Sequence, residues 1–342
     1  MKNSVKNRYF TLKIMVLMIV LLLSIPLCAF WGSANLSYSE VARFLLGKIF
    51  PAFKEEALTS VESIVWQLRM PRIILGLAVG GGLAICGVMM QALTKNLMAE
   101  PYILGVSSGA SAMAVFAMTL GGGTWMEKFG VPGAAFIGAM GSLFMVYTIS
   151  MKNGKTSAEK LLLSGVAFSM ILNALTQFFI LIAPDKATKN ALYWMMGSLG
   201  GARWNNIGIP VVISILGFCI SIILARDLNV LSLGDEAAVT LGINVSRIRK
   251  VLLVIISCVT GVMVSQSGCI GFIGLMIPHI VRMLFGTDHK KVLIASYLIG
   301  AIFLTWMDVG ARVILAPSEI SIGILTSFCG GPFFIWLLRR KK

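Results

Sequence analysis

The sequence predicts an all-α polytopic membrane protein with about ten transmembrane helices, organised as one domain over residues 1–342. Three observations lead there. Hydrophobic residues make up 57% of the 342 positions and charged residues only 13%, well short of the roughly one quarter charged in a soluble domain. Mean hydropathy is +0.89, too little polar surface to solvate a globule of this length. The apolar residues also fall in runs near the ~20 residues that cross a bilayer as a helix. The 35 Gly and 10 Pro follow no collagen-like period. Cys28, Cys86, Cys219, Cys258, Cys269 and Cys329 lie in or beside apolar runs without CxxC spacing, which reads as buried thiols.

The first run, 14–31, follows Lys2, Lys6, Arg8 and Lys13 as a signal peptide would. It is long for a signal's apolar core and no small-x-small cleavage site follows, so it reads as a retained span. The outer segment 32–68 then places Val41, Phe44, Leu45 and Ile49 opposite Glu40, Arg43 and Lys48, an amphipathic helix expected to lie on the membrane or on a partner. Spans two (73–93) and three (102–120) carry Gly76-xxx-Gly80 and Gly105-xxx-Gly109, spacings at which small residues let helices approach closely. Spans four, five and six are expected at 131–150, 161–183 and 207–225. The loop 226–250 reads as a polar cytoplasmic helix opened by Asp235 and Glu236 and closed at Gly242. Spans seven (251–269), nine (292–307) and ten (320–338) enclose an eighth, 273–285. That one is short and holds Pro278, so a broken or half-length helix is expected.

Ten spans put both termini on one side. With the termini inside, 19 of the 29 Lys and Arg fall on inner segments, and the inner face is strongly positive while the outer is nearly neutral. That asymmetry sets the orientation with both termini cytoplasmic. It also absorbs the formal +15, so no nucleic-acid partner is needed to explain the charge.

Polar residues inside the spans form stripes. Gly165, Ser169, Asn173, Thr176 and Gln177 share one face of span five; Gly323, Thr326, Ser327 and Gly330 repeat the pattern on span ten, and Gly87, Gln91 and Thr94 on span two. Helix packing and a wet path both account for such stripes. No Asp or Glu is expected near the middle of a span, where ion-coupled transporters bury ionisable groups. No cluster has metal-ligand spacing, and no nucleophile–base pair shares a face. Gly154-Lys155-Thr156 ends like a phosphate loop, but Ile149 stands where that motif needs Gly. The chain thus reads as a conduit whose energy comes from a partner. His279 and His289 could suggest a haem ligand or proton relay, but packing or capping beside Pro278 and Asp288 suffices. The 20 Met are scattered as core filler.

Several motifs together resemble the FecCD-type permeases of ABC importers for iron chelates, haem and vitamin B12. They are Leu68-Arg69-Met70-Pro71-Arg72, the run GGGLAICGVMMQALTKN, Ala99-Glu100-Pro101 before Leu104-Gly105-Val106-Ser107-Ser108-Gly109, and Tyr193-Trp194-Met195-Met196-Gly197. The most specific are GFIGLMIPHIVR ending at Arg282, Thr287-Asp288-His289, and APSEISIGILTSFCGGPFFIWLL from Ala316. The resemblance runs from about Trp66 to the C-terminus.

This resemblance implies the type II importer architecture in a bacterial cytoplasmic membrane. It implies a second copy of the chain or a close paralogue, two cytoplasmic ABC ATPase subunits and an extracytoplasmic substrate-binding protein. The chain itself would be no enzyme and bind no cofactor or metal, with ATP and Mg used by the ATPase. By resemblance, Leu233, Gly234, Asp235, Glu236, Ala237, Ala238, Leu241 and Gly242 couple to the ATPase, and outward-facing Arg69, Arg72 and Arg312 receive carboxylates of the binding protein. Gly165, Ser169, Asn173, Thr176, Gln177, Gly323, Thr326 and Ser327 line the path, and Asn96, Met98, Thr156 and Ser157 form the cytoplasmic gate. Leu97 stands where the family carries Pro, which restores an N–H and predicts a looser turn. The implied function is alternating-access import of an iron–siderophore complex, with haem or cobalamin as other cargoes. An ATP-independent secondary transporter is the alternative class.

Overall fold

A bilayer core offers the backbone no hydrogen-bond partner, so a spanning chain must satisfy its own N–H and C=O groups. The computed structural model describes residues 2–34, 36–49, 59–120, 124–151 and 157–340, and every regular element among them is helical. In order these are α1 (Lys2–Phe30), α2 (Tyr38–Ile49), α3 (Thr59–Val61), α4 (Met70–Thr94), α5 (Val106–Leu120), α6 (Thr124–Ser150), α7 (Ala158–Ile182) and α8 (Asp185–Met195). There follow α9 (Gly208–Ile223), α10 (Ala225–Leu231), α11 (Asp235–Thr240), α12 (Val245–Ser267), α13 (Ile273–Phe285), α14 (His289–Val313) and α15 (Ile322–Arg340). A π-helical stretch, Glu62–Arg69, joins α3 to α4 without a break. It precedes Pro71, whose missing N–H removes one α-helical bond and lets the turn widen.

Among the described residues six helices are long and apolar enough to cross a membrane: Arg8–Phe30, Glu62–Thr94, Gly130–Ser150, α7, α12 and α14. A seventh crossing is available if α9 and α10, bent by 60° at Leu224, count as one. Three further apolar helices, α5, α13 and Ile322–Leu337, are shorter. The half-length reading of 273–285 matches α13, a 13-residue helix that runs through Pro278. The sixth span differs from expectation: the helix bends before the charged Arg226-Asp227 pair, and the loop beyond holds two short helices, α10 and α11, rather than one.

The centre of the fold is α4, buried along almost its whole length. It packs on α14 most extensively, then on α12, α9, α13 and α1, while α5, α6 and α7 form a second group joined to it through α12. Glycines make this close approach possible. The Gly80 and Gly300 backbones touch where α4 crosses α14, and Gly87 meets Gly274 where α4 crosses α13.

The amphipathic α2 forms, but its apolar face is already covered. Val41 and Phe44 pack with Cys28, Ala29, Val61, Val65, Ile73 and Val309 in a cluster of their own. Lys48 pairs with Glu62 at 3.3 Å across that face and lies over the Phe44 and Trp66 rings. The helix therefore seals the C-terminal end of α1 and the N-terminal end of α4 instead of lying free on the membrane.

Gly80→Val places a side chain against the Gly300 carbonyl; overpacking of this kind costs about 1–3 kcal/mol. A lowered unfolding temperature of the purified protein is expected, with Gly141→Ala, whose added Cβ meets open space, unchanged.

Candidate functional site

One end of the bundle is organised by the C-terminus of α1. The last turn of a helix leaves carbonyls without partners and carries partial negative charge, so it attracts cations. Arg69 donates to Ala29 O at 2.7 Å, Phe30 O at 3.0 Å and Ala34 O at 2.7 Å. Arg312 donates to Trp31 O at 3.0 Å and Cys28 O at 3.3 Å. Asp308 sits between Arg312, which it pairs with at 3.0 Å, and a third cation, Arg72, at 2.7 Å; Arg72 also reaches Glu319 at 2.8 Å.

The expectation of outward-facing arginines is thereby corrected. Arg69, Arg72 and Arg312 are only 4%, 8% and 3% exposed, because their donors are engaged by α1 carbonyls and by Asp308 and Glu319. The structure brings all three together, but as the binder of one end of the bundle. Asp308 is the residue the sequence reading left out. The span expected to stop at 307 continues as α14 to Val313 and takes Asp308 inside the protein. Its signal was available in the i,i+4 spacing of Asp308 and Arg312.

The polar stripes divide. On α7, Gly165 packs against the backbone of Ile103, Ser169 donates to Gly165 O at 2.7 Å, and Thr176 donates to Leu172 O at 2.8 Å. Asn173 and Gln177 are exposed, among exposed Met170, Leu175, Phe178 and Leu181. On α15, Gly323 packs on the Met196 carbonyl, Thr326 is buried, and Ser327 is exposed beside Phe328. α7 leans on α5 and α6 and α15 on α13 and α14, so the two stripes do not pack on each other within one chain.

Between α12 and α13 the chain leaves helical geometry at Gly268–Phe272, an elbow with Gly268 at φ 67° and Phe272 at φ 70°. Its backbone groups are paired from several directions. Tyr102 Oη donates to Ile270 O at 2.9 Å and receives Ile270 N–H at 3.1 Å, and Glu100 Oε1 accepts from Phe272 N at 2.8 Å. Ser198 N donates to Ser267 O, while Ile322 N and Gly323 N donate to Gly197 O and Met196 O. The Phe272 ring fills the space beside Gly330 and lies 6.3 Å from Phe334, both on α15.

Glu100 connects this elbow to the expected gate turn. Asn96 Oδ1 accepts from Met98 N at 2.9 Å and Asn96 O from Ala99 N at 3.0 Å. Two bonds thus close the turn with Leu97 in place of Pro, against the expected loosening. Asn96 and Met98 are exposed; Ser157 caps α7 by accepting from Lys160 N, and Thr156 lies outside the described residues. Partial burial pushes the Glu100 carboxyl up to about 7, with the Phe272 N–H opposing.

Just before the turn, Lys95 reaches Asp235 at 2.7 Å, and Arg249 reaches the same carboxylate at 2.8 Å. Partial burial would raise the Asp235 carboxyl, but the two cations outweigh it and hold it below the ordinary carboxylate value. Asp235 opens α11, which is framed by Gly234 (φ 116°) and Gly242 (φ 81°), left-handed positions suited to Gly. Glu236 and Gly242 are exposed, Ala237 half-buried and Ala238 buried. Leu233, Val239 and Leu241 stand 60% or more exposed on this small helix, a protruding apolar knob. His289 is bound to Asn229 through its backbone N–H at 2.9 Å and ring Nδ1 at 2.8 Å; His279 meets Phe333 edge-on. Among the described residues no group of three or more His, Cys, Asp or Glu gathers at metal-holding distance.

Comparison with known proteins follows this geometry. The model of the FecCD transport family matches residues 16–340. The cobalamin import system permease BtuC of Halobacterium salinarum is 42% identical over 83% of this chain and 75% of its own. The Fe(3+)-citrate import system permease YfmD of Bacillus subtilis is 36% identical over 91% and 89%. A solved ABC transporter of the metal-chelate type, in an inward-facing conformation, superposes with a TM-score of 0.83 at 28% identity, covering 96% of this chain and 98% of that one.

Two outcomes are expected. Asp308→Ala strands two buried guanidinium groups, a loss typically worth about 3–5 kcal/mol, so the unfolding midpoint should fall steeply while Glu319→Ala, at the exposed edge, shifts it little. Glu100 holds its proton more tightly folded, at about 7, than its ordinary 4.5. Its contribution to stability is therefore full below pH 4.5 and lost as pH rises to 7. Unfolding of wild type and Glu100→Gln, compared across that window, should show the wild type losing ground as pH rises.

Proposed function

Because this chain belongs to the FecCD transport family, we propose that it is the membrane permease subunit of a binding-protein-dependent importer that carries an iron–siderophore complex across a bacterial cytoplasmic membrane. The chain is a transporter subunit and not an enzyme, and ATP hydrolysis belongs to separate ATPases. In this reading ten segments cross the membrane, both termini face the cytoplasm, and two copies, or one copy and a paralogue, face each other through α7 and α15. The exposed Asn173, Gln177 and Ser327 then line a shared path, and Gly165, Ser169, Thr176, Gly323 and Thr326 hold its walls together. Weak neutral contacts suit a bulky chelate that must also leave.

The observation that carries the reading is the apolar knob of α11 and its ionic attachment. Leu233, Val239 and Leu241 offer an ATPase a hydrophobic grip, while Asp235 ties the same helix to Lys95 at the end of α4. From Lys95 the chain runs through the Asn96–Met98 turn to Glu100, and from Glu100 to Phe272 and α15. A push on α11 thus has a contiguous route to the elbow beside the path. Arg69, Arg72 and Arg312 serve docking of the binding protein indirectly, by fixing the outer surface around Trp31 and Glu319. A metal chelate as cargo is supported by the relatives' names, which specify cobalamin, ferric citrate and hemin, so cobalamin and haem are the other chelates to test.

An exposed ion pair contributes no more than about 1 kcal/mol to stability, so breaking Lys95–Asp235 should spare the fold. Lys95→Glu is expected to cut ATP-driven uptake in proteoliposomes severalfold while the assembly still hydrolyses ATP, and Lys95→Arg, which keeps a cation beside Asp235, to leave uptake near wild type. Uptake per ATP unchanged in Lys95→Glu would remove this coupling route.

A further inference from the structure

Away from the path, α1 and α14 enclose an open groove of about 370 Å³. Phe10, Ile14, Met15, Met18 and Ile19 line one side and Ile294 the other; Met15 and Ile19 remain 56% and 54% exposed. The groove would face hydrocarbon, so its apolar walls alone select nothing. Its end near the start of α1 does. There Phe10 and Phe285 meet edge to face at 6.0 Å, and each ring carries an ammonium group: Lys291 lies 5.3 Å from the Phe10 centroid and Lys13 5.3 Å from that of Phe285. Lys13 also donates to Leu284 O at 3.1 Å, one of the orphan carbonyls closing α13. These contacts hold two cations beside the aromatic pair at the Phe10 end of the groove instead of letting them range through solvent.

The surrounding charge is predominantly positive. No acid precedes Glu40 in the chain, and Arg8 and Lys290 add exposed positive charge beside that end. The acid of the facing turn, Asp288, accepts from the Lys290 backbone N–H at 2.9 Å as the cap of α14. A basic end to an apolar groove matches a molecule with an anionic head and an acyl tail.

We propose that the α1–α14 groove binds an anionic phospholipid, with the phosphodiester at Lys13 and Lys291 and an acyl chain along Phe10, Ile14 and Met18. A zwitterionic lipid would lay a cationic choline against the same two lysines, and a second copy of this chain would bring like charge. The site is independent of cargo and of the coupling route, and it pins a long helix that is otherwise mostly exposed.

Thermal unfolding of the purified full-length protein in neutral detergent, titrated with cardiolipin and separately with phosphatidylcholine, tests this. Cardiolipin should raise the midpoint saturably, with phosphatidylcholine inert. Two juxtamembrane cations are each worth a factor of about five in anionic-lipid affinity, so Lys13→Gln with Lys291→Gln should require about thirtyfold more cardiolipin. Met18→Trp, which fills the groove and leaves both lysines, should weaken the effect as well, and Lys250→Gln on α12 should not. Equal stabilisation by phosphatidylcholine, an unchanged titration in the double lysine variant or in Met18→Trp, or native mass spectra in which those variants lose a second protein chain instead of a lipid would each overturn the proposal.

Discussion

Hydrocarbon cannot hydrogen-bond a peptide group, and most of this structure follows from that constraint. Long helices satisfy it alone. The elbow at Gly268–Phe272 cannot, so three irregular segments meet and pair: Met196–Ser198, the elbow itself and the start of α15. Tyr102 and Glu100 supply the acceptors and donors those segments lack. Because Glu100 also ends the turn that follows α4, the least regular part of the interior is bonded directly to the part nearest α11. A rearrangement of one must exchange hydrogen bonds in the other.

The same rule shapes the opposite end. The carbonyls closing α1 are satisfied by Arg69 and Arg312, and Asp308 and Glu319 offset part of the positive charge these two bring together with Arg72. This pins α1, α4 and α14 into one block, with α2 sealed over it. By contrast α7 is almost uncovered within a single chain, and α15 shows exposed Ile324, Phe328 and Trp336. The division suits a machine with a fixed frame and a movable face: the buried charge stays where helices must not separate, and the neutral, exposed helices lie where they must.

What could be read from the sequence was local in chain distance. Gly76 and Gly80 signalled a close crossing because spacing alone decides which helix face is small. Asp235 and Gly242 bounded α11 because caps and left-handed residues act within a turn. The FecCD resemblance was carried by ordered motifs of the same short range. The arginines were misjudged for the opposite reason: their partners lie up to 284 residues away, so nothing nearby distinguishes a buried cap from an exposed docking group. The α7 stripe was one face in the sequence and two environments in space, since only the packing of Ile103 and Gly105 decides that Gly165 and Ser169 turn inward while Asn173 and Gln177 stay exposed.

The central claim is that this chain forms a gate without an engine. Among the described residues no carboxylate lies in the middle of α7 or α15, and the proposed point of applied force is the exposed knob at α11. The direct measurement is accumulation of labelled ferric siderophore in sealed proteoliposomes, with the binding protein present and the ATPase subunits either included with ATP or left out. Concentrative uptake only when the ATPase and ATP are present is the predicted result. Uphill accumulation by this chain without them would contradict the account.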